Sequence, residues 1–424
     1  MEMEIGDGSL SHSSSKRLGI KNTIQTNFGD DYVFQIASSQ EISTLAVSLS
    51  ANTIKFYSPA TGQYFGECKG HSGTINEISF SIPSSAHVLS SCSSDGTVRA
   101  WDTRTFKQVS TLRAGSSQEV FSFSFGGSSG NLLAAGCNAQ ILFWDWRNGK
   151  QVACLEESHT DAVTQVRFIP DQQNKLISSS EDGLLCLFDT DGQIDDDNNL
   201  ESVMNVETSI AKVGFFGQLN QKLWCLTHIE TLSIWDWKEG KREVNFEEAR
   251  SSASDRWNLD HVNYFVDCHY SKVDDRLWVI GGTGSGTLGY FPISHEPLGV
   301  IGSPEAILEG GHAGMKQGFC SFSLAQQAAV GGADDRMAPA HGLSSMGLHV
   351  TDSVVGARHR RRAVIKKKKS ADFMLNTEPK KIEEDDDEKG ERKVNGGWGE
   401  RKGGGSFIKT MVARGKERTK MTAP

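Results

Sequence analysis

A chain of 424 residues, 37% hydrophobic and 23% charged, is long enough to bury a large core and polar enough to live in water. No run approaches the ~18–20 apolar residues that cross a bilayer, and the opening "MEMEIGDGSLSHSSSKR" has no apolar stretch of signal-peptide type, so a nuclear and/or cytoplasmic protein is expected, neither secreted nor membrane-bound. The formal net charge of −9 is unevenly divided: 20 Lys/Arg face 11 Asp/Glu from Arg358 onward, while residues 1–357 hold 24 basic and 42 acidic side chains, a body that repels nucleic-acid phosphates.

Along the chain, residues 1–16 read as a disordered N-terminus, 17–345 as a folded repeat region and 346–424 as a disordered, charge-rich tail. The repeat shows in six segments. "TIKFYSPATG" starts at Thr53, "TVRAWDTRTF" at Thr97, "QILFWDWRNG" at Gln140, "LLCLFDTDG" at Leu184, "TLSIWDWKEG" at Thr231 and "TLGYFPIS" at Thr287. Their aromatic positions, Tyr57, Trp101, Trp144, Phe188, Trp235 and Phe291, are 44, 43, 44, 47 and 56 residues apart. A period near 44 marks an array of equivalent supersecondary units.

Around Trp101 the unit reads as four short strands: "TINEISFSIP", "AHVLSSCSSDG", "TVRAWDT" and "KQVSTLRAG". The Asp-Gly between the second and third is a strong hairpin signal. Four strands repeated in this way make an antiparallel blade, and such blades are stable only when stacked around an axis. The expected fold is therefore all-β, a β-propeller, with seven blades and a degenerate last one.

The sequence resembles the WD-repeat β-propeller family. The residues that carry the resemblance are the pairs Trp101-Asp102, Trp144-Asp145 and Trp235-Asp236, with Gly70-His71 and Gly311-His312. It covers about Tyr32 to Met315 and continues weakly to about Leu343. Blade lengths and degenerate repeats resemble those of the WD repeat-containing protein 89 group. The resemblance implies a structural tetrad of His, Ser, Asp and Trp in each regular blade. Carried over, it falls on His71, Ser91, Asp95 and Trp101 in blade two, and on His159, Ser178, Asp182 and Phe188 in blade four. Blade three has Asn138 at the Asp position, and blade five has Ile229. Ser, His and Asp together also suggest a hydrolase triad, but a catalytic constellation is not normally duplicated in register, which favours the structural role.

The seventh blade is expected to start after "GGHAG" at Gly310 and to run through "FCSFSLAQQAAVGGADDR", with "RLGIKNTIQTNF" near the N-terminus as its outer strand. An insertion, "EEARSSASDRWNLDHV", precedes blade six; it offers Trp257 as a candidate partner anchor, against the alternative of a loop packed on its own blade. "DTDGQIDDDNNLES" is a long acidic connection whose spacing is not that of a calcium loop.

No cofactor, metal or catalysis is expected. The eight cysteines stand singly, without a C-x-x-C pair, and most lie in apolar segments as core thiols, with redox or metal roles the alternative. "GGTGSGTLG" from Gly281 lies between strands and not before a helix, so it reads as a hairpin and not as a phosphate cradle. In the tail, Arg360, Arg361, Arg362, Lys366, Lys367, Lys368 and Lys369 form a candidate nuclear import signal, with a solvated or RNA-contacting tail as alternatives.

The function expected is a non-catalytic scaffold that docks other proteins. Two consecutive W-D-x-R boxes, ending in Arg104 and Arg147, resemble those of substrate receptors that meet the adaptor of cullin-4 RING ubiquitin ligases. Arginine suits such a contact through its planar fork. Arg or Lys at this place is also common in ordinary repeats, as Lys238 of blade five illustrates. A third reading, nuclear ribonucleoprotein assembly, rests on the tail alone.

Overall fold

A computed structural model describes residues 31–309, apart from 32, 40, 81–85, 116, 258–260 and 296–298, together with the backbone of four short strands outside that span. Two of these, β1 (Lys16–Leu18) and β2 (Asn22–Ile24), precede the blades. Blade one is β3 (Val33–Ser39), β4 (Thr44–Leu49), β5 (Thr53–Tyr57) and β6 (Tyr64–Lys69). Blade two is β7 (Ile75–Ser79), β8 (Val88–Ser93), β9 (Thr97–Asp102) and β10 (Lys107–Arg113). Blade three is β11 (Ser122–Gly126), β12 (Leu132–Gly136), β13 (Ile141–Asp145) and β14 (Lys150–Leu155). Blade four is β15 (Val163–Ile169), β16 (Gln172–Ser180), β17 (Leu184–Asp189) and β18 (Leu200–Asn205).

Blade five is β19 (Ile210–Phe216), β20 (Lys222–Thr227), β21 (Leu232–Asp236) and β22 (Lys241–Phe246); the helix α1 (Ala249–Asp255) follows it. Blade six is β23 (Tyr264–Ser271), β24 (Arg276–Gly282), β25 (Leu288–Ser294) and a divided outer edge, β26 (Val300–Ile301) and β27 (Ala306–Leu308). Strands β28 (Ser321–Phe322) and β29 (Leu348–Val350) complete the described elements.

The ring therefore has six four-stranded blades among the described residues, which corrects the expectation of seven. After blade six the chain builds no seventh blade among the described residues: one strand edges an existing sheet and another enters a separate two-stranded sheet. β28 lies parallel on the inner edge of β3, and β29 pairs with β2. The N-terminal segment also serves a different sheet from the one expected: β1 runs parallel along β27, on the outside of blade six. The remainder of the "GGHAG" and "FCSFSL" stretch, and nearly all of the tail from 346 on, lie outside the described residues.

Burial is greatest on the second strand of each blade and falls toward the outer one. The second strands, such as "VLSSCS" and "LLAAG", are buried on nearly every residue because they are sandwiched between neighbouring blades, and small side chains let the sheets approach. The outer strand β10 is exposed over its first half. All six aromatic positions are buried, and each such ring contributes roughly 1.5–3 kcal/mol by leaving water. Five apolar clusters straddle consecutive blades, from Ala46, Phe56 and Trp101 between blades one and two to Trp224, Ile234 and Phe291 between blades five and six.

Inner strands of neighbouring blades are joined through side chains. Gln35 Oε1 accepts from the Ile78 N–H (2.7 Å), Glu77 Oε2 from the Phe123 N–H (3.1 Å), Ser122 Oγ from the Val166 N–H (3.2 Å) and Gln165 Oε1 from the Val213 N–H (3.0 Å). These residues occupy one position, the second after a buried apolar residue, in successive blades. At the fifth joint the polarity reverses: Lys212 Nζ donates to the Val266 carbonyl at 2.7 Å and pairs with Asp267, which holds the sixth position. Arg167 also reaches across blade three to Glu77, at 2.7 Å.

Candidate functional site

Antiparallel pairing gives the ring two faces. One carries the hairpins between second and third strands, with Asp95 and Asp182, and the connections that bring in His71 and His159. The other carries the turns between third and outer strands, with Arg104 and Arg147. The four candidate tetrad positions of blade two come together. His71 Nδ1 lies 2.9 Å from Asp95 Oδ2, His71 Nε2 lies 2.7 Å from Ser91 Oγ, and the Trp101 indole N–H donates to Ser91 Oγ at 2.8 Å.

The proton positions follow from the groups. Burial lowers the His71 pKa, against the pull of Asp95, so its imidazole is neutral near pH 7. A carboxylate only accepts, so Nδ1 carries the hydrogen; Ser91 then donates to Nε2 and accepts from the indole. Burial alone would raise the Asp95 carboxyl, but hydrogen bonds from Thr97 and His71 outweigh it and bring it down to about 2. Blade four repeats the geometry, with His159 to Asp182 at 3.0 Å and to Ser178 at 2.6 Å, and the buried Phe188 ring in place of an indole. Ser91 and Ser178 are both wholly buried, and Ser91 already accepts from Trp101. A substrate carbonyl cannot reach either oxygen without opening the blade.

On the opposite face each box has a division of labour. Its Asp caps the turn: Asp102, Asp145, Asp189 and Asp236 each accept from the backbone N–H two residues on. Its third residue ties that turn to the neighbouring one, through Thr103 to the His87 carbonyl, Trp146 to Gly130, Thr190 to Asn174 and Trp237 to Asn220. The fourth residue is exposed in each box, although Asp191 of blade four still accepts from Ser128 and Asn174. Arg104 is 65% exposed but folds back in a bidentate contact on Asp102, which holds that carboxyl well below the usual carboxylate range. In blade three Asn148 takes the second oxygen of Asp145, and the exposed Arg147 guanidinium has no partner among the described residues.

Trp257 is placed differently from an exposed anchor. It is 4% exposed and meets Phe291 edge-to-face at 5.4 Å, in the core between blades five and six. The acidic connection is an ordered strap on the rim. Ile194 packs into the cluster between blades three and four, Asp196 accepts from the Glu156 and Glu157 N–H groups, and Asn199 caps the Asp189 carbonyl at 2.6 Å. Among the described residues no group of three metal-ligating side chains converges, and no helix is long and apolar enough to cross a membrane. Burial pushes the thiols of Cys68, Cys137, Cys186 and Cys225 up to about 12, away from thiolate chemistry. The Thr283–Thr287 stretch is a hairpin closed by a backbone hydrogen bond of 2.9 Å. The candidate import residues Arg360 to Lys369 lie outside the described residues.

Comparison with known proteins agrees with this architecture. The family described as "Nucleolar protein 10-like, N-terminal domain", a β-propeller, matches residues 32–219. WD repeat-containing protein GTS1 of Arabidopsis thaliana is 62% identical over 318 residues, covering 74% of this chain and 81% of the relative. The WD repeat-containing protein 89 homolog of Dictyostelium discoideum is 34% identical over 273 residues, 64% of this chain and 74% of the relative. With the boxes, the tetrads and the ring of blades in place, the chain belongs to the WD-repeat β-propeller family.

Proposed function

We propose that this protein is a non-catalytic scaffold that docks other proteins on the faces and rim of its propeller. The observation that carries the reading is where the polar groups go. Side chains that could do chemistry, His71, Ser91, Asp95 and their counterparts in blade four, are used up inside the blades, while the exposed Arg147 guanidinium has no partner among the described residues. The free Arg147 supports a narrower reading, a receptor that meets the cullin-4 ligase adaptor through the two boxes. Affinity purification with mass spectrometry of wild type and an Arg104→Ala, Arg147→Ala double variant tests both. Loss of the adaptor in the variant, with unchanged thermal stability, supports the receptor. Its absence from both forms sinks that reading and leaves the scaffold to the partners recovered. Recovery of no stoichiometric partner would sink the scaffold itself.

The description of the matching family as nucleolar supports a nuclear site of action and, through it, assembly of ribonucleoprotein complexes. Salt-sensitive RNA binding that disappears on deleting residues 356–424 would favour that role. The acidic body argues against RNA on the propeller.

A further inference from the structure

In each of blades one to five the outer strand carries one extra residue where the pairing register shifts: Phe65, Val109, Val152, Glu201 and Glu243. Such a bulge re-aims its side chain, here toward the rim. Glu305 holds the matching place in blade six, next to Ala306 opposite Tyr290. Blades four to six treat this place as a solvated one. Glu201, Glu243 and Glu305 each pair with a cation of the second strand, Lys175, Lys222 and Arg276. In blades one to three the same place is apolar and open: Phe65 is 43% exposed, Val109 57% and Val152 51%. Val88 and Leu132 replace the cations in blades two and three. Exposed apolar side chains at this one place in three successive blades mark a contact surface, although Leu200, Val203 and Val300 also expose apolar surface on the outer strands of blades four and six.

Backbone strain at the same arc is an independent sign. In the turn between third and outer strands, blades three and five have Gly149 and Gly240 with φ of +71° and +63°, whereas blade two has Phe106 at +57°. A bulky residue is rarely held in this conformation. The ring of Phe106 lies flat against Gly66, where a Cβ would come within 2.1 Å of it, and its centroid is 6.1 Å from that of Phe65. It joins the turn of blade two to the bulge of blade one. A Cβ at Gly149 would rest 3.6 Å from Leu112, so this turn too lies beside the outer strand of the blade before it. Those two turns carry exposed Arg104, Lys107, Arg147 and Lys150 against Asp102 and Asp145, an excess of cations on a body that is acidic overall.

We propose that the rim of blades one to three is a docking surface for an acidic segment of a partner protein, its spaced apolar side chains resting on Phe65, Val109 and Val152 and its carboxylates on the intervening cations. This inference rests on the scaffold reading and names the chemistry of the partner. The test uses the full chain and a Val109→Glu, Val152→Glu variant, which copies the native residue of blades four and five at exposed positions. A displayed library of random peptides is selected on wild type, and the enriched peptides are measured on both proteins by fluorescence anisotropy. The expected peptides are acidic with interspersed large apolar residues; they weaken with salt and lose at least roughly tenfold in affinity on the variant. Enrichment of basic or neutral peptides, no enrichment, or equal affinity for both proteins overturns the proposal. A concentration-dependent dimer of wild type by light scattering, absent in the variant, would assign the arc to a second copy and overturn it as well. Cellular partners that stay bound to the variant remove the rim and leave the scaffold, whereas no partner on either form removes the scaffold.

Discussion

Blades two and five solve one problem in different ways. Each buries a tryptophan at the same position of its third strand, and a buried indole N–H needs an acceptor. In blade two the acceptor is Ser91 on the second strand, itself held by His71 and Asp95. In blade five Trp235 donates at 2.8 Å to Ser233, two residues back on its own strand. The hairpin that would carry the Asp instead presents an exposed Ile229, followed by Glu230 at a φ of +66°. Blade four avoids the need by using Phe188. The requirement common to them is one satisfied donor, and the four-residue network is one way to meet it.

The largest effect expected from breaking this comparison is that of Ser91→Ala. It strands both the Trp101 N–H and the unprotonated nitrogen of His71, and should lower stability by about 3 kcal/mol, at roughly 1–2 kcal/mol for each stranded group. Ser178→Ala in blade four leaves only His159 short and should lose about 1–1.5 kcal/mol. Urea midpoints at unchanged slope would read the difference. Equal losses for the two variants would show that the indole bond contributes nothing.

Acid should separate the blades next. The folded pKa of His71 lies below its ordinary 6.5, so the unfolded chain takes that proton more readily, and the stabilisation is full above pH 6.5 and fades as the pH falls below it. Asp95, at about 2 against an ordinary 3.8, acts with the same sign: its contribution is present above 3.8 and is lost between 3.8 and about 2. Hydrogen exchange should therefore show blade two losing amide protection on acidification before blade five, which has neither group. His71→Gln should remove the upper part of that loss, and its persistence in the variant would assign it elsewhere. The smallest change concerns a third kind of hairpin. Ala139 of blade three sits at φ +55°, where blades two, four and six use glycine, and Ala139→Gly should raise the unfolding midpoint by a gain of about 0.5–1 kcal/mol.

The blade period, the aromatic positions and the contacts of the tetrad were legible because each depends on residue types at fixed spacing in the chain. Blade number was not. Residues 319–336 contain an apolar stretch and a Gly-Asp-like turn, and nothing in those letters tells whether a strand starts a new sheet or, as β28 does, edges an old one. The rim bulges were hidden for a related reason: Val109 reads as one more residue of an alternating strand, and only the register beside Ala100 and Trp101 lifts it out. Trp257 could have been placed. Ala249, Ala253 and Trp257 are spaced by four, one face of a short helical stretch, and all three are buried.

The side-chain joints between inner strands also have a direction. Through four successive joints the earlier blade offers an acceptor to a backbone N–H of the later one, from Gln35 to Gln165. A chain emerging from its N-terminus thus finds, at each stage, an acceptor already in position for the next sheet. Lys212 inverts the chemistry before blade six, so that a displaced or skipped blade would set donor against donor there. The single reversal of polarity thus marks the place of blade six in the ring.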